Sequence, residues 1–78
     1  MNGFVLNDKN NTLRVYFNSD ITKVLIINIL GTIELEKPTN KKTSLLISKR
    51  HLSSGQYLVK FIKNKKAIDG IKISIRNE

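Results

Sequence analysis

Hydrophobic and polar residues alternate with a period of two in several short blocks of the chain. In Thr12–Phe17, for example, Leu13, Val15 and Phe17 fall on one face of an extended chain, as the geometry of a half-buried strand requires. Polar or glycine-containing segments separate the blocks. No stretch of ten or more residues has the apolar spacing of a helix without fitting a strand equally well, so we predict no helix.

The other predicted strands share this alternation or are rich in β-branched residues. They are residues 23–29, 32–36, 43–47, 56–62 and the segment that contains Ile71, Ile73 and Ile75. Segment 23–29 is apolar on both faces, which is typical of a central strand. In segment 32–36 the pattern predicts that Ile33 and Leu35 point inward, and Leu52 is expected to fill the core from a connecting segment.

Strands that recur about every ten residues favour a sandwich. We therefore predict an all-β fold, a small immunoglobulin-like antiparallel β-sandwich of six to seven strands. At 78 residues the chain has room for one domain, so residues 1–78 are expected to form a single sandwich.

The residues that support catalysis are scarce. The chain has no cysteine and one histidine, His51, so it offers no thiolate metal site and no catalytic triad. Its four glycines are scattered, and no phosphate-binding loop is present. We expect no enzyme activity, no catalytic, cofactor-binding or metal-binding residues, no cofactor and no small-molecule substrate.

The chain also lacks recognisable export and membrane segments. Its N-terminus has neither the basic region nor the apolar stretch of a signal peptide. The most apolar run, residues 24–30, is interrupted by Asn28 and is far shorter than the ~20 residues of a membrane-spanning helix. We expect no membrane-spanning segment.

Fourteen Lys and Arg against six Asp and Glu give a formal charge of +8, which favours anionic partners. A single-stranded nucleic-acid module needs exposed aromatic side chains between its basic residues. The alternation turns Phe17, Tyr57 and Phe61 inward and leaves Tyr16, next to Arg14 on the same face, as the candidate stacking residue. Nucleic-acid binding is therefore disfavoured, although it stays as an alternative function.

The order of several sequence blocks resembles the C-terminal sorting domain of type IX secretion cargo proteins, also called the Por secretion system sorting domain. An apolar strand that ends in Asn-x-x-Gly is matched by residues 24–31, and Leu-x-x-Gly-x-Tyr-x-Val is matched by residues 52–59. An opening pair of strands, residues 4–8 and 12–17, and a final basic strand, residues 71–76, complete a likeness over nearly the whole chain. The proline-containing turn that the family has near Asn7 is missing.

This resemblance implies a non-catalytic signal that the outer-membrane translocation machinery recognises in order to export cargo and attach it to the cell surface. It implies a cell-surface or extracellular location and a protein partner, with the domain itself a monomer or a weak dimer through an edge strand. Lys72 and Arg76 on the last strand are the preferred contacts. Gly31, Gly55 and Tyr57 are further candidates, although turn geometry and core packing are the first explanation for these three. The alternative function is an immunoglobulin-like protein–protein adhesion module.

Overall fold

The computed structural model describes residues 3–7 and 11–76. These residues form seven strands: β1 (Gly3–Asn7), β2 (Thr12–Phe17), β3 (Lys23–Asn28), β4 (Ile33–Pro38), β5 (Ser44–Ser48), β6 (Gly55–Lys63) and β7 (Lys66–Ile75). The predicted all-β class and strand number are confirmed. Asp8, with which the predicted first strand ended, lies outside the described residues.

Two antiparallel sheets make up the fold. One has three strands in the order β1-β2-β5, and the other has four in the order β4-β3-β6-β7. β3 is therefore an inner strand, as its apolar composition predicts. This arrangement is compatible with a small immunoglobulin-like sandwich.

The core lies between the two sheets. It consists of Leu13, Val15, Phe17, Ile21, Val24, Ile26, Ile47, Leu52, Tyr57, Val59, Phe61 and Ile75. Most of these side chains come from alternate positions of β2, β3 and β6, because every second residue of a strand points to the same face. The rings of Phe17 and Phe61 meet across the core with their centroids 6.4 Å apart. Leu52 fills the core from the β5–β6 connection, as predicted.

One predicted core position is wrong. Ile33 is 53% exposed, although the alternation places it inward together with Leu35. The register between β3 and β4 shifts between Ile26 and Ile27, so that Ile26 pairs with Leu35 and Ile27 pairs with Ile33. This bulge leaves Glu34 as the extra residue and moves Ile33 to the outer face beside Ile27.

Two contacts hold the sandwich together outside its core. Asn7 Nδ2 at the end of β1 donates a hydrogen bond of 2.9 Å to the carbonyl oxygen of Ser74 in β7, so the two sheets approach each other along this side. Thr39 Oγ1, which is buried, donates a hydrogen bond of 2.6 Å to the carbonyl oxygen of Ile21. That bond joins the β4–β5 connection to the β2–β3 connection. Within the described ranges there is no helix with the length and apolarity to cross a membrane.

Candidate recognition surface

The five residues that the sequence singled out lie at one end of the four-stranded sheet. Asn28, the last residue of β3, pairs with Tyr57 of β6, and Tyr57 pairs with Ile73 of β7. Gly55 begins β6 and pairs with Ile75, which Arg76 follows. The end of β3, the start of β6 and the end of β7 thus meet, although they are far apart in sequence.

The turn that follows β3 is held by the side chain of Asn28. Its Oδ1 accepts hydrogen bonds from the backbone N–H groups of Leu30 (2.9 Å) and Thr32 (3.0 Å). Its Nδ2 donates a hydrogen bond of 3.0 Å to Glu34 Oε2. Asparagine commonly organises a turn in this way, because its short side chain reaches the backbone two residues on.

Gly31 completes this turn with a φ of +86°, a conformation that glycine adopts without steric cost. Its N–H donates a hydrogen bond of 3.0 Å to the carbonyl oxygen of Asn28. The Cβ of another residue at this position would meet no atom within 4 Å. The backbone conformation, and not a lack of space, therefore explains this glycine.

The turn exposes two large aliphatic side chains, which the sequence analysis did not single out. Ile29 is 80% and Leu30 is 85% exposed. The Asn-x-x-Gly pattern contained the signal, because asparagine at the first position and glycine at the fourth are typical of a tight turn. The two residues between them then lie at its tip, in solvent.

A shallow depression of about 320 Å³ lies beside the turn and is lined by Asn28, Ile29, Gln56, Tyr57, Leu58 and Lys72. Lys72 of β7 pairs with Leu58 of the neighbouring strand β6 and is exposed. It makes no ion pair with another described residue. The side chain that bounds this depression on the β7 side is thus an exposed cation.

Arg76 and Gly55 lie at the same end as this depression. Arg76 is exposed and directly follows β7. Gly55 has a φ of +152°, a backbone conformation that residues with a side chain rarely adopt. We call the group formed by the turn 28–32, Gln56, Leu58, Lys72 and Arg76 the β3-turn surface.

Tyr57 belongs mainly to the core. It is 7% exposed, and its hydroxyl group donates a hydrogen bond of 2.7 Å to the carbonyl oxygen of Ser53. The bond ties the β5–β6 connection to the sheet. Core packing accounts for this tyrosine, which also contributes to the lining of the depression.

Two ion pairs lie toward the opposite end of the same sheet. Lys23 Nζ is 3.3 Å from Glu36 Oε1, and Lys63 Nζ is 3.1 Å from Asp20 Oδ2. All four side chains are about half exposed, so each pair contributes little to stability.

The residues expected for other functions are arranged differently. The ring of Tyr16 stacks on Phe4, with the centroids 4.7 Å apart and the planes at 21°, so one of its faces is covered. His51 is exposed. No three of the His, Asp and Glu side chains in the described part of the chain lie close enough together to hold a metal ion.

Residues 7–76 match the family described as "Secretion system C-terminal sorting domain". The chain belongs to this family. The match covers β2 to β7 and the last residue of β1, and it includes the β3-turn surface. No curated protein matches the chain.

Membership confirms the resemblance stated above and gives the function. The sorting domain is a C-terminal signal for type IX secretion. Sorting implies an interaction with the secretion machinery and export to the cell surface or the extracellular space. The family is a class of sorting signals and not a known enzyme family.

Proposed function

We propose that the sorting domain contacts the outer-membrane translocation machinery through the β3-turn surface. Lys72 and Arg76 are the cationic contacts, and Ile29 and Leu30 are the apolar ones. The observation that carries the proposal is the pair of exposed aliphatic side chains on a turn that Asn28 holds in place. Large apolar side chains at fixed exposed positions are typical of binding sites.

The chemistry of the surface specifies its partner. Two aliphatic side chains on a protruding turn fit an apolar pocket, and the cations beside them fit carboxylates at its rim. Because the turn is already ordered by the three hydrogen bonds of Asn28, little conformational entropy is lost on binding. Gly31 and Gly55 act through backbone conformation, and Tyr57 acts through packing.

The finer features of this role belong to the same proposal. Residues 1–78 act as one non-catalytic domain that needs no cofactor, and the machinery recognises it as a monomer. The outcome is attachment of the cargo to the cell surface. An adhesion role remains the alternative, because it also uses an exposed surface on a sandwich.

The test is export of a reporter protein fused before residue 1, in a cell that has a type IX system and with a separate signal for entry into the periplasm. We expect Lys72→Glu and the double variant Ile29→Ser, Leu30→Ser to leave the reporter in the periplasm. Lys66→Glu is the matched control, because Lys66 is an exposed lysine at the opposite end of the same strand. It makes the same change in net charge and should be exported like the wild type.

Equal export of Lys72→Glu and Lys66→Glu, with the serine double variant also exported, would contradict the proposed surface. Each purified variant must also unfold at the wild-type temperature, so that a loss of export reports recognition and not folding. A purified chain that binds a surface protein but no secretion component would favour the adhesion alternative.

A further inference from the structure

Four strands lie at the edges of the two sheets, namely β1, β4, β5 and β7. An edge strand exposes unpaired backbone groups, and proteins protect such edges with charged residues, proline, bulges or neighbouring structure. β4 contains Glu34, Glu36, Lys37 and Pro38. β7 contains three charged residues and has a register shift, and β1 is joined to β7 through Asn7.

β5 has none of these protections. Its sequence, Ser-Leu-Leu-Ile-Ser, contains no charged residue and no proline. Among the strands of the described residues, β5 pairs with β2 alone. The N–H group of Phe17 donates a hydrogen bond of 2.9 Å to the carbonyl oxygen of Thr43, and the N–H group of Lys49 donates one of 2.7 Å to the carbonyl oxygen of Asn11. Residue pairs that are joined by backbone hydrogen bonds alternate with pairs that are not along an antiparallel ladder. The backbone N–H and C=O groups of the odd-numbered residues from 43 to 49 therefore point toward β2.

The backbone N–H and C=O groups of Ser44, Leu46 and Ser48 therefore point to the free edge. No backbone group of another described residue bonds to them outside the sheet pairing. The side chains of the same three residues lie on the outer face of the sheet, where Leu46 is 67% exposed. An added strand would find open backbone groups and an apolar side chain together.

A depression of about 610 Å³ adjoins this edge and is lined by Arg14, Tyr16, Lys42, Ser44, Leu45 and Leu46. Tyr16 pairs with Phe4 on one side and with Ser44 on the other. Because Ser44 is small, it leaves space between the tyrosine ring and Leu46. The depression thus has apolar walls, two cations and no acidic residue in its lining.

The charges near β5 decide between a second copy of the chain and a different partner. Antiparallel pairing of two β5 strands about Leu46 would place Lys42 of each copy opposite Arg50 of the other. Like charges directly opposite each other destabilise a strand pair, and each chain has a formal charge of +8. A strand with acidic residues at its ends would place opposite charges there.

We propose that β5 binds an extended segment of a protein partner that has apolar residues at its centre and carboxylates at both ends. The segment adds a fourth strand to the sheet through Ser44, Leu46 and Ser48, and one of its apolar side chains enters the depression beside Tyr16. Backbone hydrogen bonds provide affinity in this mode, and the pocket provides specificity. The inference is independent of the β3-turn surface, because β5 and Lys72 belong to different sheets.

The experiment is an NMR titration of the chain with the capped peptide Asp-Thr-Val-Thr-Phe-Thr-Val-Thr-Asp. With its Phe opposite Leu46, the two Asp lie on the same face as Lys42 and Arg50 and opposite them. We expect saturable shift changes centred on residues 43–50 and slower hydrogen exchange at the amides of Ser44, Leu46 and Ser48. A peptide with Lys in place of both Asp should bind roughly tenfold more weakly, because it meets Lys42 and Arg50 with like charges.

Two substitutions at one position isolate the backbone contact. Ser44→Pro removes an edge N–H that does not face β2, a place where proline is tolerated, and should weaken binding roughly tenfold. Ser44→Ala keeps that N–H and should bind like the wild type. Hydrogen exchange in the wild-type chain tests the same contact if Ser44→Pro fails to fold.

Several results would overturn the inference. They are shift changes that map away from β5, equal binding of the Asp and Lys peptides, and equal binding of the Pro and Ala variants. Sedimentation that shows a dimer formed through β5 would assign the edge to a second copy. Tighter binding of a single-stranded oligonucleotide at these residues would assign it to nucleic acid.

Discussion

Replacing Asn28 by alanine tests whether one side chain holds the turn that presents Ile29 and Leu30. The substitution removes both acceptor bonds to the N–H groups of Leu30 and Thr32, and the donor bond to Glu34. No other contact of the turn needs to change, since the bond from Gly31 N–H goes to the backbone of Asn28.

The magnitude follows from the exposure of these bonds. All three are exposed, so water can replace the lost partner, and each contributes near the lower end of about 0.5–1.5 kcal/mol. The bond to the Glu34 carboxylate adds little, as is usual for exposed charged groups. We expect Asn28→Ala to lower the free energy of unfolding by about 1–2 kcal/mol. For a chain of this size each kcal/mol corresponds to a decrease of roughly 4–8 °C in Tm.

Asn28→Asp separates the acceptor bonds from the donor bond. Aspartate keeps an oxygen for both N–H groups but places a negative charge beside Glu34, so its loss of stability should lie between those of the wild type and the alanine variant. Thermal unfolding by circular dichroism measures the stability. Hydrogen exchange at the amides of Leu30 and Thr32 should accelerate in the alanine variant and less in the aspartate variant.

An alanine variant with wild-type Tm and unchanged exchange at both amides would refute the reasoning. It would mean that the backbone alone, through Gly31, orders the turn. Equal losses in the two variants would show that the bond to Glu34 matters more than the two bonds to the backbone.

Three other predictions concern the core and its borders. Gly3→Ala should lower the free energy of unfolding by about 1–3 kcal/mol, because the new Cβ would lie 2.3 Å from the Tyr16 carbonyl oxygen. Gly70→Ala should change it by less than about 1 kcal/mol, because its Cβ would meet a flexible leucine side chain at 3.2 Å. Urea unfolding of the two variants checks this prediction, and equal losses of stability would contradict it. Phe61→Ala should lower the free energy of unfolding by about 3–5 kcal/mol, which is much of the roughly 4–12 kcal/mol expected for a domain of 78 residues. A variant with a well-dispersed NMR spectrum and a nearly unchanged Tm would contradict this prediction. Tyr57→Phe deletes the hydroxyl bond of 2.7 Å to the Ser53 carbonyl oxygen and should cost about 1 kcal/mol in chemical unfolding, so unchanged stability would show that this bond contributes nothing.

The predictions that depended on strand periodicity alone were confirmed. Val15, Ile26, Val59 and Phe61 are fully buried, as alternation requires, because the direction of each side chain in a strand follows from backbone geometry. The strands lie where the sequence predicted them, with boundaries that differ by one or two residues in several cases. The exception is β7, which begins at Lys66, five residues before Ile71. The Asn-x-x-Gly and Leu-x-x-Gly-x-Tyr-x-Val blocks also predicted the family, and the family match over residues 7–76 confirms that prediction.

The prediction failed where the pairing between strands decides the outcome. Ile33 is exposed because a bulge opposite β3 changes its face, and nothing within residues 32–36 encodes that bulge. Ile29 was predicted to end the apolar strand 23–29, whereas in the structure β3 ends at Asn28 and Ile29 lies in the turn. The recognition role of Lys72 and Arg76 stays a prediction.

The sequence by itself determined which residues are extended, which face of each strand is apolar, and to which family the chain belongs, because all three depend on local order and spacing. Only the tertiary structure decided that β5 pairs with β2 in the three-stranded sheet. β5 is therefore an edge strand that has no charged residue, no proline and, among the described strands, no partner on its outer side. The tertiary structure also brought the end of β3, the start of β6 and the end of β7 to one surface. Strand partners are chosen by packing between segments distant in sequence, and no local pattern contains that information.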